Sequence, residues 1–231
     1  MSHVTKHTAK YSRAQSFVIV TVAYLSALPV AFAAYYLSPD LAVIWKMLAA
    51  DLAATVVVWG FSFIFKNTSI YDPYWSVIPP LVVLPLAFLP ELEASAVRVV
   101  LINVVVWFWG IRLTLNWVRS WAGLHTEDWR YLSFVPKTKN WYWLMSLLSF
   151  HTFPTLTVFV GMVPFFPALL NWPGSDNFNA LHWLDFVAFA VATTGVLFEL
   201  IGDEQMHRHR TDPNRDPSVP FTGGLWGISR H

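Results

Sequence analysis

Cysteine is absent from the 231 residues, which removes disulfides, thiolate nucleophiles and Cys-ligated zinc from consideration. Charge is scarce as well. Asp, Glu, Lys and Arg make up 13% of the chain, against roughly 25% in soluble domains. The formal net charge is only +1, so the excess of Lys and Arg on which a nucleic-acid surface depends is missing. Internal repeats and low-complexity linkers are also lacking, and the chain reads as one domain spanning 1–231. What fills the space is apolar: 55% of residues are hydrophobic and 17% aromatic. Such a composition points to lipid as the solvent and to an all-α, multi-pass transmembrane helical bundle, because helices satisfy their own backbone hydrogen bonds in hydrocarbon.

Apolar segments lie near 16–37, 41–65, 77–90, 96–118, 141–168 and 181–203. A helix needs about 20 residues to cross the hydrocarbon, so five are long enough. The third, carrying Pro79, Pro80, Pro85 and Pro90, is short and broken, either a kinked span or a re-entrant piece. Lys6, Lys10 and Arg13 precede the first run, which exceeds the apolar core of a secretory signal and reads as a retained span. With six crossings, one set of loops holds Lys6, Lys10, Arg13, Lys66, Arg119, Arg130, Lys137, Lys139, Arg208, Arg210, Arg215 and Arg230. The opposite loops hold no Lys or Arg, and Lys46, Arg98 and Arg112 lie within or at the ends of spans. The positive-inside rule then places both termini, and the polar segment 204–231, in the cytoplasm.

Ionisable residues inside spans are expensive and face a cavity or a partner. Lys46 and Asp51 either pair with each other, snorkel, or mark a site. Arg112, one turn after Trp109, either snorkels or binds. The loop Asn67-Thr-Ser-Ile-Tyr-Asp-Pro-Tyr-Trp75 sets Asp72 between Tyr71 and Tyr74. An acid framed by phenols can protonate a bound carbonyl oxygen if burial raises its pKa; the alternative is an Asp-Pro turn among interfacial aromatics. Between the fourth and fifth segments, Thr126 is placed to cap a surface helix with Glu127 and Asp128 in its first turn. The functional alternative is a loop offering Asp128, Arg130 and Tyr131 to a polar ligand.

The richest stretch comes after the last span. Glu199, Asp203 and His207 are four apart, so a continuing helix sets them on one face, with Arg210 near the same stripe. Guanidinium groups hold phosphates, and carboxylates at a helix end hold ribose hydroxyls; a dinucleotide carries both. Metal ligation by Glu199, Asp203, His207 and His209 is the rival reading, but His125, His151 and His182 do not form the clustered histidine boxes of a membrane di-iron enzyme. A solvated charged tail is the third.

The segments Asn67 to Trp75, Trp109-Gly-Ile-Arg-Leu-Thr114, Glu127-Asp-Trp-Arg-Tyr131, Glu199-Leu-Ile-Gly-Asp203, and Gly223-Gly-Leu-Trp-Gly-Ile-Ser-Arg-His231, in this order, resemble the steroid 5-alpha-reductase C-terminal family, more closely its bacterial DUF1295 branch. The resemblance implies a helical membrane oxidoreductase using NADPH from the cytoplasmic side to reduce a carbon-carbon double bond conjugated to a ketone in a lipophilic substrate. It implies that Asp203 and Arg210 hold the nucleotide, with Arg230 and His231 in the Ser-Arg-His motif beside it. Glu199 stands where steroid reductases carry Asn, and Asp72 corresponds to their carboxylate at the carbonyl oxygen. Trp109 replaces a Tyr, leaving an indole N–H as donor. The family pattern continues beyond His231, which predicts a chain lacking its C-terminal continuation and part of the nucleotide pocket. An isoprenylcysteine-methyltransferase-like enzyme binding S-adenosylmethionine, through a related Arg-His-Pro motif, is one alternative. A non-catalytic membrane protein is another.

Overall fold

A computed structural model describes residues 3–5, 10–171, 180–216 and 218–228. A short strand β1 (His3–Thr5) precedes α1 (Arg13–Tyr36), which starts where it does because Ser12 caps it. The Gln15 N–H donates to Ser12 Oγ, and the Ser12 N–H to the Gln15 side chain, satisfying two otherwise orphaned donors. α2 (Val43–Phe65) stops at Lys66, whose left-handed backbone (φ 53°) turns the chain into a 3-10 turn, Thr68–Tyr71. Next in the chain are α3 (Tyr74–Leu86), α4 (Ala96–Ser120), β2 (Thr126–Asp128) and α5 (Trp129–Thr138). After them come α6 (Tyr142–Met145), a π-helical stretch Ser146–Thr152, α7 (Phe153–Met162), α8 (Phe165–Leu169) and the 29-residue α9 (Trp183–Thr211). β1 and β2 pair antiparallel.

The structure is an all-α, multi-pass bundle. Helices α1, α2, α4 and α9 and the broken run Trp129–Leu169 are long and apolar enough to cross a membrane. α3 has 13 residues with Pro79, Pro80 and Pro85 inside; at 1.5 Å per residue it rises about 20 Å, short of a hydrocarbon core about 30 Å thick.

The contacts at its two ends show how α3 sits. Its C-terminal connection lies against the chain after α8, where Glu93 N–H and Ala94 N–H donate to Leu169 O and Asn171 N–H to Glu91 O. At that end Arg98 joins α4 to α9 through Asp185. At the other end Arg13 donates to the carbonyls of Val118 and Trp121, and Asn67 to those of Leu124 and Thr126.

Packing rather than hydrophobic exclusion holds helices together in lipid, so small residues mark the close approaches. Ala23, Ala27 and Ala54 are buried where α1 meets α2. Gly110 is the tightest point between α3 and α4, since a Cβ there would lie 2.6 Å from the Ser76 carbonyl oxygen and 2.7 Å from Pro80 Cγ.

The segment expected near 141–168 lies within the run Trp129–Leu169, whose helix is in several pieces, with Pro154 near the start of α7 and Pro164 between α7 and α8. Two expectations need correction. Thr126 caps no helix: its hydroxyl donates to Gly123 O, Thr126–Asp128 is extended, and Asp128 caps α5 by accepting from the Arg130 N–H. Lys46 and Asp51 do not pair, because five residues of helix turn them about 140° apart. Lys46 lies over the Tyr35 ring instead.

Candidate functional site

The residues singled out in the sequence gather in two places. The first is a crevice of about 600 Å³ between α4, α9 and the turn Gly224–Gly227. The four-residue spacing on α9 does put Glu199 and Asp203 on one face, and α4 presents Arg112 to both. Arg112 Nη2 donates to Glu199 Oε2 at 2.5 Å, and Nη1 donates to Asp203 Oδ2. The guanidinium is buried while Glu199 is half open, and Arg112 Nε has no partner. Trp109 lines the same crevice. Its far wall is the glycine-rich turn, pinned to α9 by Trp226 Nε1 donating to Gly202 O and Leu225 N–H donating to Gln205 Oε1. Gly224 (φ 56°) lets the turn lie against Gln205, since a Cβ would meet that side chain at 2.5 Å.

Arg210 is exposed, two turns beyond Asp203, and does not line this crevice. Arg230 and His231 lie outside the described residues.

The second place gathers Asp72, Asp128, Arg130 and Tyr131. Tyr131 donates to Asp72 Oδ1 at 2.6 Å, while Arg130 holds both oxygens of Asp128 at 2.9 and 3.0 Å. Asp128 N–H donates to Ser69 Oγ, and the buried Glu127 carboxylate accepts the Thr68 N–H at 2.7 Å. Burial raises the Asp72 pKa to about 7, outweighing the hydrogen bonds from Tyr131 and Ser69 that favour its ionised form. The phenols expected to frame Asp72 point elsewhere, because consecutive residues of a 3-10 turn leading into a helix face different directions. Tyr71 and Thr155 share a hydrogen bond of 2.7 Å, and Tyr74 donates to Asp51. Asp72 and Trp109, paired as catalytic residues by the sequence, therefore sit in separate clusters.

A third place was missed by the sequence reading. An apolar cavity of about 390 Å³ lies between α1, α2 and α3, and Asp51 and Tyr74 are among its lining residues. Tyr74 donates to Asp51 Oδ1 at 2.7 Å, and both side chains are buried. A carboxyl and a phenol bonded to each other beside an apolar cavity form an acid pair able to hold a carbonyl or hydroxyl oxygen. The available signal is a lone Asp in mid-span, for which pairing with Lys46, snorkelling and a site all stay open in the sequence; the partner phenol comes from another helix. No residue lines both this cavity and the α4–α9 crevice.

Among the described residues no group of three or more His, Cys, Asp or Glu is arranged to hold a metal ion. A family model described as a protein of unknown function, DUF1295, matches residues 58–231. An uncharacterized protein of Schizosaccharomyces pombe is 26% identical over 196 residues, which is 82% of this chain and 55% of that protein. The chain thus spans about half the length of this curated relative. No solved structure matches it.

Proposed function

The chain belongs to the DUF1295 family, and with that premise we propose that it is a membrane-embedded, NADPH-dependent reductase of a lipophilic enone. The observation that carries the reading is the Asp51–Tyr74 pair at the apolar cavity between α1, α2 and α3. Such a cavity takes a lipophilic molecule, and the buried pair gives it one polar anchor. When Asp51 is protonated and donates to the Tyr74 oxygen, the Tyr74 O–H is released to donate to a carbonyl oxygen set against it, where negative charge develops during reduction. NADPH, when bound, supplies hydride for the β carbon of the enone.

The α4–α9 crevice suits the nucleotide. Arg112 is a buried guanidinium with a spare N–H, the group chemically suited to phosphate. Glu199 and Asp203, which pair with it, are acceptors for ribose hydroxyls. Reduction needs donor and acceptor carbons within about 3–3.5 Å, so binding has to bring the two spaces together across the α3–α4 contact.

Titrating the purified, detergent-solubilised protein with NADPH and with S-adenosylmethionine tests this. Binding of NADPH, weakened about ten- to a hundredfold in Arg112→Ala by loss of charge-assisted contacts, is the expected result. S-adenosylmethionine binding in its place overturns the reductase reading in favour of a methyltransferase, and binding of neither points to a non-catalytic membrane protein.

A further inference from the structure

Beside the Asp51–Tyr74 pair runs a file of hydroxyl groups in an otherwise apolar bundle. Tyr71 OH and Thr155 Oγ1 are 2.7 Å apart, Thr155 Oγ1 and Thr55 Oγ1 2.9 Å, Thr55 Oγ1 and Tyr74 OH 3.2 Å, and Tyr74 OH and Asp51 Oδ1 2.7 Å. All five residues are buried, none more than 4% exposed. They come from the 3-10 turn, α7, α2 and α3, so no local sequence constraint produces the alignment. Polar side chains are costly in a span unless paired, and a bundle that needed only packing would use Val at positions 55 and 155.

We propose that this file is a proton relay that reprotonates Asp51, with Thr155 as the link that closes it. Each hydroxyl can accept one hydrogen bond while donating another. The Thr55 and Tyr74 hydroxyls also lie 2.8 and 2.9 Å from the Asp51 main-chain carbonyl oxygen; with Asp51 ionised, its charge turns both away from that carbonyl, and the protons align from Tyr71 through Thr155, Thr55 and Tyr74 toward the carboxylate. When one proton reaches Asp51, each oxygen passes its own proton forward and takes the one behind it. The deficit appears at the Tyr71 hydroxyl, which is buried, so the relay needs a water molecule that reaches this hydroxyl and delivers a solvent proton to it.

A separate group of polar side chains lies between Tyr71 and the end of the bundle that carries β2, and it meets Tyr71 through a ring contact rather than a hydrogen bond. The His151 ring lies against the Tyr71 ring, with 4.7 Å between centroids. His151 Nδ1 is 2.9 Å from Ser146 O, which requires Nδ1 to carry the proton, and Nε2 is 3.1 Å from Ser62 Oγ. Thr68 Oγ1 lies 3.5 Å from Ser146 Oγ and 2.8 Å from Tyr142 OH, and its N–H reaches Glu127. His151 belongs to the π-helical stretch Ser146–Thr152, a departure from α-geometry that is frequent at functional sites.

The inference rests on Asp51 being the acid of the proposed reductase, but it can be read without turnover or substrate. The infrared carboxyl band of protonated Asp51, assigned by its loss in Asp51→Asn, shifts as its proton exchanges after transfer of the membrane-reconstituted protein into D2O. In Thr155→Val this exchange is expected to slow by about tenfold or more, while Thr155→Ser, which restores the hydroxyl, exchanges at the parental rate. A shared melting temperature for the two variants separates this effect from unfolding. Parental exchange in Thr155→Val, or equal slowing in Thr155→Ser, overturns the relay and gives the hydroxyls a packing role. Loss of enone reduction with exchange behaviour as expected refutes the reductase reading alone.

Discussion

Asp51 is buried and Asp72 partly buried, and their surroundings give them different work. Asp72 lies outside the long spans, where Tyr131 donates to it and Asp128 and Arg130 sit beside it. Its pKa is raised to about 7 in the folded protein, above the unfolded value of about 3.9. Between these pH values the folded state binds more protons than the unfolded state, so stability falls as pH rises. The contribution is complete below about pH 4 and is lost as pH passes about 7. Melting temperatures measured across this window should decline with pH, and Asp72→Asn should flatten the decline because Asn does not titrate. An unchanged slope in the variant would assign the pH dependence to other groups. The linkage holds whichever chemistry the Asp51 cavity performs, since the two carboxyls occupy different clusters.

At the scale of elements, the contact between α3 and α4 governs how the two proposed binding spaces are placed. The proline-rich α3 is held at Gly110, and Ser76 Oγ and Thr114 Oγ1 lie 2.9 Å apart alongside. Adding a methyl group at Gly110 drives it into the Ser76 carbonyl and the Pro80 ring, both parts of a stiff segment that cannot turn away. Gly110→Ala should therefore destabilise the protein by about 1–3 kcal/mol, the usual cost of overpacking, read as a lower melting temperature in detergent. Gly161→Ala is the matched control, because nothing lies within 4 Å of its added Cβ. Equal effects of the two would show that helix propensity, rather than the α3–α4 contact, sets the response.

For the whole molecule, the distribution of positive charge makes orientation a measurable proposal. Arg13, Lys66, Arg119 and Arg130 fall at the bundle end that carries β2, and Arg98, paired with Asp185, lies at the other. By the positive-inside rule we propose that the β2 end faces the cytoplasm. Because the chain contains no cysteine, single substitutions report without background. In intact cells or inside-out vesicles, Lys139→Cys should react with an impermeant thiol reagent only from the cytoplasmic face, and Asp40→Cys only from the opposite face. Labelling of both from one side would reject a six-crossing path, in which the short α3 completes its passage through the non-helical connection to α4.

Composition and periodicity were enough to determine a lipid-embedded helical bundle, because scarce charge and long apolar runs admit few other solutions. The four-residue spacing of Glu199 and Asp203 likewise fixed their shared face, since helical geometry is local. The family's ordered motifs were also legible in the chain itself. Tertiary structure decided what local spacing cannot encode. Tyr71 and Tyr74 flank Asp72 in sequence but turn to Thr155 and Asp51, because neighbouring residues in a tight turn point in different directions. Asp51 found its partner on α3 rather than at Lys46 on its own helix, and the hydroxyl file required residues from four elements to meet. A buried polar group takes whichever partner the packed bundle brings within hydrogen-bonding distance, and that distance is set by helices far apart in the chain.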